Sequence, residues 1–312
     1  MKVFRLFIIN SILFLLNVLL DIMKYAVSFE TMYSWSKNMG FPYQRYLFEK
    51  SNGYKPDFTQ PKSLNEKTVY RTLFGNIEYL TIISDKLLCK EFLVNEIGIE
   101  KKYIISTLAV IRNVEDVNIL KELGKPFILK CNHGSGRNII IDNNTHLQAI
   151  KNYTVDSLNN KLYHYKKCIR YIEHIKPAVF AEPLISDNAI DYKFHVFTGS
   201  IRTIQVMQVQ QGVKRHRFYN LNWQAEPFYK EKMALGNFDK PRNLEKMIEL
   251  CYLIGKRFSY LRIDLYNING RILIGELTPS PGSGYKPIYP RKFDYQLGKE
   301  WRHYEDLKHL YA

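Results

Sequence analysis

The apolar pattern opens with a near-continuous run from Leu6 to Leu20, broken only by Asn10, Ser11 and Asn17 and preceded by Lys2 and Arg5. The run is short against the roughly 20 apolar residues a spanning helix needs. Asp21-Ile22-Met23-Lys24 follows where a secretory signal would carry a small-x-small cleavage site. Two readings stay open: a membrane-surface or short anchoring helix, or a helix packed into the core. Residues 25 to 60 interleave Tyr, Phe and Lys and read as helices and loops. Ser63 followed by Glu66 is a capping-box pair, which predicts a helix start there. A second helix is expected from Asp85-Lys86 to Ile97, with Leu87, Leu88, Phe92 and Leu93 on one side. From Ile104 the pattern turns to short strands separated by turns. Leu244, Met247, Ile248, Cys251 and Ile254 recur at helical spacing behind Pro241, predicting a helix from Leu244 to Phe258. No internal repeat is visible, so the chain reads as α+β with its chemistry in the last two thirds.

Composition narrows this picture. With 46% hydrophobic and 14% aromatic residues in 312, the chain can bury a sizeable core, which excludes wholesale disorder. The formal net charge of +15 calls for an anionic neighbour: nucleic acid, a lipid surface or an acidic substrate. No nucleic-acid motif accompanies the aromatic-basic stretch, so nucleic acid is not expected as a partner. Cys89, Cys131, Cys168 and Cys251 lie far apart, without zinc-ligand spacing. They read as small buried hydrophobes in a reducing compartment.

Three constellations carry candidate chemistry. In the first, Lys130-Cys131-Asn132-His133-Gly134-Ser135-Gly136-Arg137-Asn138 joins two strand-like runs. Glycines leave backbone N–H groups free to approach phosphate oxygens, and Lys130 could reach the same anion. The strand–loop–strand order excludes a Walker loop, which leads into a helix. A plain hairpin turn would read the same way in isolation. In the second, alternation puts Asp191, Lys193 and His195 on one strand face and Tyr192, Phe194 and Val196 on the other. Acid, cation and imidazole together could hold a ribose and phosphates, or form an ordinary polar outer face.

The third is the strongest: two strands, Leu261 to Ile268 and Arg271 to Thr278, carry Asp264 and Glu276, with Arg262 beside Asp264. Carboxylates on adjacent strands can hold Mg²⁺, which binds polyphosphate. Register decides whether they meet. A two-residue turn at Asn269-Gly270 sets Asp264 opposite Gly275 and turns Glu276 away. A three-residue loop, Ile268 to Gly270, sets Asp264 opposite Ile274 and brings Glu276 and Thr278 to the same face. The three-residue loop is expected.

Together, Pro61 to Lys67, Asp85-Lys86, Lys130 to Asn138, Asp191-Tyr192-Lys193 and Glu276 to Gly284 resemble the teichuronopeptide-biosynthesis (TupA-like) family of ATP-grasp enzymes. The resemblance covers roughly residues 45 to 300. It implies an ATP-grasp fold, two α+β lobes gripping ATP, after a helical N-terminal region. The corresponding divisions are 1–24 (membrane-associated helix), 25–84 (helical region), 85–180 (lobe with the Gly-rich loop) and 181–312 (lobe with the metal hairpin). It implies that Lys86 and Lys130 contact nucleotide phosphates under a loop of His133, Gly134, Ser135, Gly136, Arg137 and Asn138. Glu182, Pro183 and Leu184 would line the adenine hinge, and Asp191, with Lys193 on its face, the ribose and phosphates. Asp264, Glu276 and Thr278 would bind Mg²⁺, although many ATP-grasp ligases carry Asn where this chain has Thr278. Arg262 would stabilise charge as a carboxylate attacks the γ-phosphate, with Gly282, Ser283 and Gly284 near the acceptor.

The implied reaction joins a carboxylate to an amine through an acyl phosphate, with ATP and Mg²⁺. The basic run Lys214-Arg215-His216-Arg217 suits an acidic sugar or glycan as carboxylate donor, with Arg217 at the substrate, and reads equally as a solvated loop. The family further implies a bacterial cell-surface polysaccharide pathway on the cytoplasmic side, at the inner membrane face. Phosphotransfer without ligation, a glycosyltransferase role (no Asp-x-Asp motif is present) and a non-catalytic nucleotide-binding scaffold are the competing readings.

Overall fold

A computed structural model describes residues 27–134, 136, 138–159, 167–186, 189–230 and 233–302. The Leu6–Leu20 run, Ser135 and Arg137 lie outside the described residues. Among the described residues no helix is long and apolar enough to cross a membrane.

Among the described residues, helices α1 (Phe29–Asn38), α2 (Pro42–Asn52) and α3 (Leu64–Phe74) come first. They bury Phe29, Met32, Phe48, Val69 and Leu73 in a second core that Cys168 and Tyr285 complete. The capping box forms as expected: Glu66 N donates to Ser63 Oγ at 3.0 Å, and Ser63 N donates to Glu66 Oε2 at 2.9 Å. Helix α3 is wired to distant parts of the chain. Buried Lys67 donates to the carbonyls of Gly298 and Trp301 at 2.8 and 2.6 Å. Arg71 donates to the carbonyls of Tyr260 and Pro279, both at 2.8 Å, and stacks on Trp301.

Asp85 ends α4 (Ile77–Ser84) and caps α5 (Lys86–Asn95), accepting from Leu87 N at 2.9 Å. Helix α5 stops short of Ile97 because Gly98 takes the left-handed conformation that terminates helices. A four-stranded antiparallel sheet has the order β1-β4-β2-β3, built from β1 (Ala109–Ile111), β2 (Phe127–Cys131), β3 (Asn138–Ile141) and β4 (Val179–Pro183). Helix α6 (Leu147–Asn159) closes its core through Ile150, and a short α7 (Arg170–Glu173) leads into β4.

The second sheet has six strands in the order β10-β9-β5-β6-β7-β8: β5 (Asp191–Phe197), β6 (Ser200–Gln210), β7 (Val213–Tyr219), β8 (Ala234–Leu235), β9 (Leu261–Ile268) and β10 (Arg271–Thr278). All pairs are antiparallel except β7–β8. One face carries Tyr192, Phe194, Ile204, Ile263 and Leu265 and packs on α8 (Leu244–Gly255), whose Leu244, Met247, Cys251 and Ile254 point inward as the periodicity requires. The opposite face carries Asp191, Lys193, Arg262 and Asp264 and looks toward the four-stranded sheet. Helix α9 (Arg291–Glu300) covers one end of that face with Phe293 and Leu297. All four cysteines are buried and none is in a disulfide.

The β9–β10 connection corrects the expected loop. It is a two-residue turn: Asn269 and Gly270 have φ of 51° and 86°, and Ile268 pairs with Arg271. Asn-Gly is the pair that best tolerates two positive φ values, and this turn matches strand twist better than a longer loop. The ladder nevertheless changes phase at a β-bulge. Ile274 pairs with Leu265, Gly275 is extra, and Glu276 pairs with Asp264. A Cβ on Gly275 would lie 2.7 Å from the Tyr266 ring, so only glycine lets that ring cover the bulge. Thus Glu276 and Thr278 do share the face of Asp264, by a route the strand pattern did not predict.

Candidate active site

The two sheets face each other across a cleft, and each wall presents a buried carboxylate held by two cations. On the four-stranded wall the acid is Glu182 of β4. Lys90 Nζ reaches its Oε1 and Lys130 Nζ its Oε2, each at 2.6 Å. Lys130 ends β2, and Lys90 stands one turn along α5 from Lys86. Burial lowers the Lys90 pKa, and Glu182 only partly offsets this. Lys86 donates to the carbonyls of Gly134 and, at 3.3 Å, Cys131, so the helix start is tied to the Gly-rich loop. The loop is pinned below as well. Asn132 donates to Asp85 Oδ2 at 3.0 Å and accepts from Ala178 N at 2.8 Å. His133 lies against the Cys131 sulfur, with Nδ1 at 3.1 Å.

On the six-stranded wall the acid is Asp264. Arg262 grips it with Nε to Oδ1 at 2.6 Å and Nη2 to Oδ2 at 2.7 Å, while Lys193 Nζ lies 2.5 Å from Oδ2. The register explains the meeting: Lys193 pairs directly with Asp264 across β5–β9, and Arg262 precedes Asp264 by two on one strand. Burial alone would raise the Asp264 pKa, but the two cations outweigh it and hold the carboxyl at about 2. Lys193 also contacts Asp191 at 2.5 Å, and burial raises the Asp191 pKa. Arg262 Nη2 donates to Thr278 Oγ1 at 2.9 Å and approaches Glu276 Oε2 to 4.0 Å. Glu276 remains one-third exposed to the cleft, at 34%.

Three adjoining cavities run through the cleft. One, of about 440 Å³, lies between Pro183, Leu184, Ile128, Met207 and Tyr266. It shares Lys130, Asn138 and Asp191 with a middle chamber of about 110 Å³, into which Lys86, Gly136, Lys193 and Glu276 also project. The middle chamber shares Lys86, Gly134 and Glu276 with a third cavity of about 330 Å³, which reaches Gly282 and Ser283.

Most of the described candidate residues are therefore gathered along one channel. Two are not. Gly284 is turned to the α3 side, where its carbonyl accepts from Asn52 at 3.0 Å. Arg217 pairs with Val206, on the face away from the cleft, and lines a separate cavity with Arg215 and Gly236. The parity of β7 forbids Arg217 from reaching the channel, so it does not stand at the substrate position expected for it. His195 shares the face of Lys193 but lies buried beneath Tyr260, 2.9 Å from its hydroxyl. Burial pushes its pKa well down and keeps the imidazole neutral.

Some site residues were not singled out from the sequence. Lys90 could have been found from its spacing of four from Lys86, which puts both on one helix face. Tyr266 had a weaker signal, an aromatic two residues beyond Asp264. Lys230 had none: it arrives from a loop, and burial beside Arg262 and Lys193 pushes its amine down to about 7.

The family model described as TupA-like ATPgrasp matches residues 66–302. No curated protein matches the chain. Among solved structures, a D-alanine–D-alanine ligase from Helicobacter pylori is similar at 16% identity, with a TM-score of 0.38, over 70% of this chain and 61% of that one. The D-alanine–D-alanine ligase from Bacillus anthracis complexed with ATP gives 18% identity, 68% and 62% coverage and a TM-score of 0.40. The L-amino acid ligase from Bacillus licheniformis gives 15%, 66% and 46%, and 0.41. The chain thus spans about three fifths of the length of the two D-alanine–D-alanine ligases.

Proposed function

Because the chain belongs to the TupA-like ATP-grasp family, we propose that it is an ATP-dependent ligase that activates a carboxylate as its acyl phosphate and joins it to an amine. The observation that carries this reading is the pairing of two buried acid–cation clusters, around Glu182 and around Asp264, across a single cleft.

The roles follow from charge and position. Pro183 and Leu184 offer an apolar slot for a base, with Asp191 beside it for a ribose hydroxyl. Lys86, Lys90 and Lys130 place excess positive charge where a polyphosphate would run, under the glycines of the 133–138 loop. The residues also suit Mg²⁺. Mg²⁺ is commonly held by one or two carboxylates together with substrate phosphates rather than by an all-protein cage. Asp264 and Glu276 are register partners on one face, and Glu276 is open to the cleft. Among the described residues no larger cluster of His, Cys, Asp or Glu assembles. Asp264, Glu276 and Thr278 would hold the ion, which neutralises phosphate charge when bound.

Arg262 holds its guanidinium at the junction of the middle and far cavities. There a carboxylate oxygen attacks the γ-phosphorus, and ADP leaves. The amine then attacks the acyl carbon, phosphate departs, and the nitrogen loses a proton. Closure of the glycine loop over the phosphates would keep water from the acyl phosphate. We assign the donor carboxylate to an acidic sugar or glycan and the acceptor to an amino acid. The setting is bacterial cell-surface polysaccharide synthesis at the inner face of the membrane.

The test uses purified full-length protein with Mg-ATP, a panel of uronic and amino acids, and hydroxylamine. Donor-dependent ADP with a mass-detected hydroxamate, lost in Asp264→Asn, is the expected result. A stable phosphosugar without hydroxamate would replace the ligase by a phosphotransferase.

A further inference from the structure

The face of the six-stranded sheet turned away from the cleft carries a second cationic feature. Strand β7 sends Arg215 and Arg217 to that face, opposite Gln208 and Val206, while His216 between them pairs with Met207 of the cleft side. The two arginines line a groove of about 530 Å³ together with Gln210, Gln211, Gly236 and Asn237. Among the described residues no acid lines it. The surrounding chain offers little counter-charge either. Residues 198–225 hold Arg202, Lys214, Arg215 and Arg217 and no Asp or Glu. Of these, Arg202 is neutralised by Glu226 at 2.6 Å. Arg215 donates to the Leu235 carbonyl at 3.2 Å. Arg217 is half-buried, with its Nε buried and without a hydrogen-bond partner. Among the described residues neither arginine of the groove joins an ion pair.

A half-buried guanidinium without a counter-ion is unfavourable, and a like charge two residues along the same strand face adds repulsion. An anion held between the two removes both costs. The spacing suits this: residues i and i+2 of a strand stand about 7 Å apart, room for one anion with nitrogen–oxygen contacts on either side. Guanidinium forks match carboxylate and phosphate alike. Here two forks are joined by the amide groups of Gln210, Gln211 and Asn237. That is more donors than the two oxygens of a carboxylate can use, and it fits the three or four oxygens of a phosphate group. The groove wall is fixed by Gly236, where a Cβ would lie 3.1 Å from Arg215 Cβ and from the Phe238 ring. A volume of about 530 Å³ exceeds what a bare phosphate fills, so the molecule carrying the phosphate also finds space.

We propose that Arg215 and Arg217 form a phosphate-binding site outside the cleft, which takes a phosphate group carried by a larger molecule. Two sources present that group: a soluble phosphorylated compound, and the head group of an anionic phospholipid. For the second, Val213 and Leu235 beside the groove are 45% and 49% exposed and offer an apolar edge. The site stands apart from the ligase reading, because no residue assigned to the reaction takes part in it.

The experiment uses the full chain saturated with Mg-ADP and two probes. Glycerol 3-phosphate is titrated calorimetrically, and co-sedimentation is measured with vesicles of phosphatidylcholine alone or mixed with phosphatidylglycerol. Lys214→Gln is the control, since it removes the same charge from the next residue but one, on the cleft side of β7. Arg215→Gln and Arg217→Gln should each weaken the probe that binds by about tenfold or more, the worth of hydrogen bonds to a charged group. Lys214→Gln should cost less than about threefold. A loss seen with glycerol 3-phosphate names a soluble ligand, and a loss confined to the phosphatidylglycerol vesicles names the lipid head group. Added inorganic phosphate should raise the melting temperature of the parent more than that of Arg217→Gln. Equal losses in the lysine and arginine variants would mean diffuse surface charge and overturn the proposal. So would binding of neither probe, or arginine variants that bind as the parent does. Should Arg217→Gln fail to fold, Arg215→Gln and Arg217→Lys decide, the latter keeping the charge and losing the fork. Mg-ATP affinity, measured on the same preparations, should be unchanged in the arginine variants; a parent that does not bind Mg-ATP would remove the ligase reading and leave this site standing.

Discussion

The two walls of the cleft solve one electrostatic problem in different ways. Around Glu182, two lysines share one carboxylate, and Lys86 stands nearby, so that wall carries surplus positive charge. Around Asp264, Arg262 and Lys193 are matched by Asp264 and Asp191, with Glu276 close by, so that wall is balanced or slightly acidic. A polyphosphate is drawn to the first wall and a divalent cation to the second. The walls also differ in construction. The Asp264 cluster comes from neighbouring strands of one sheet, where register fixes every distance. In the Glu182 cluster register likewise sets Lys130 of β2 against Glu182 of β4, but Lys90 comes from a separate helix.

The strongest way to break this division is to remove the cation that serves transfer rather than binding. Arg262→Ala should lower kcat by about 10³-fold or more, as for other cations that stabilise phosphoryl transfer. Its KM for ATP, from steady-state ADP release, should change little. Lys90→Ala should do the reverse, raising KM for ATP about tenfold with kcat nearly kept; identical profiles for the two variants would sink the division of labour. Next in size, Glu182→Gln leaves two buried ammonium groups without their counter-charge. Chemical denaturation should show a loss of about 3 kcal/mol, and Mg-ATP should recover part of it in the variant.

The bulge offers a sharper probe of the balanced wall. Gly275→Ala forces a methyl against the Tyr266 ring and should cost about 2 kcal/mol of stability. Combining it with Tyr266→Ala should relieve the clash, and stability simply adding the two losses would argue against this geometry. The last probe lies outside both walls. Burial pushes buried Asp294 up to about 6, above its ordinary 3.8, so the folded chain holds this proton more tightly than the unfolded one. Its ionisation therefore costs stability as pH rises from about 4 through 6. Asp294→Asn should match the parent at pH 4 in thermal melts and be the more stable of the two at pH 8.

What could be read from the sequence follows the same contrast. Alternation was enough to put Asp191 with Lys193 on one face of β5 and Arg262 with Asp264 on one face of β9, because strand parity is a local property; that the two faces coincide is set by the β5–β9 register. The capping box at Ser63 and the apolar stripe of α8 were legible for the same reason. Phase past a bulge is not local: Gly275 adds a residue that the run Ile272-Leu273-Ile274 does not announce, and the expected turn was wrong even though its consequence for Glu276 held. Arg217 shows the limit in the other direction. A basic run looks uniform along the chain, yet β7 sends its members to opposite sides of a sheet. Lys230 approaches Arg262 and Lys193 through tertiary packing, for which one sequence offers no period.

Lys67 has a consequence that belongs to the time axis of synthesis. Its buried ammonium is satisfied by the carbonyls of Gly298 and Trp301, which are added more than two hundred residues later. At about 5–20 residues per second this delay is roughly 10–50 s. Through that interval α3 leaves the ribosome with a charged group it cannot bury and Arg71 without its carbonyls. The N-terminal helices must therefore wait, loosely packed or held by other factors, until α9 emerges. Helix α9 thus acts as the latch that lets α1 to α3 close.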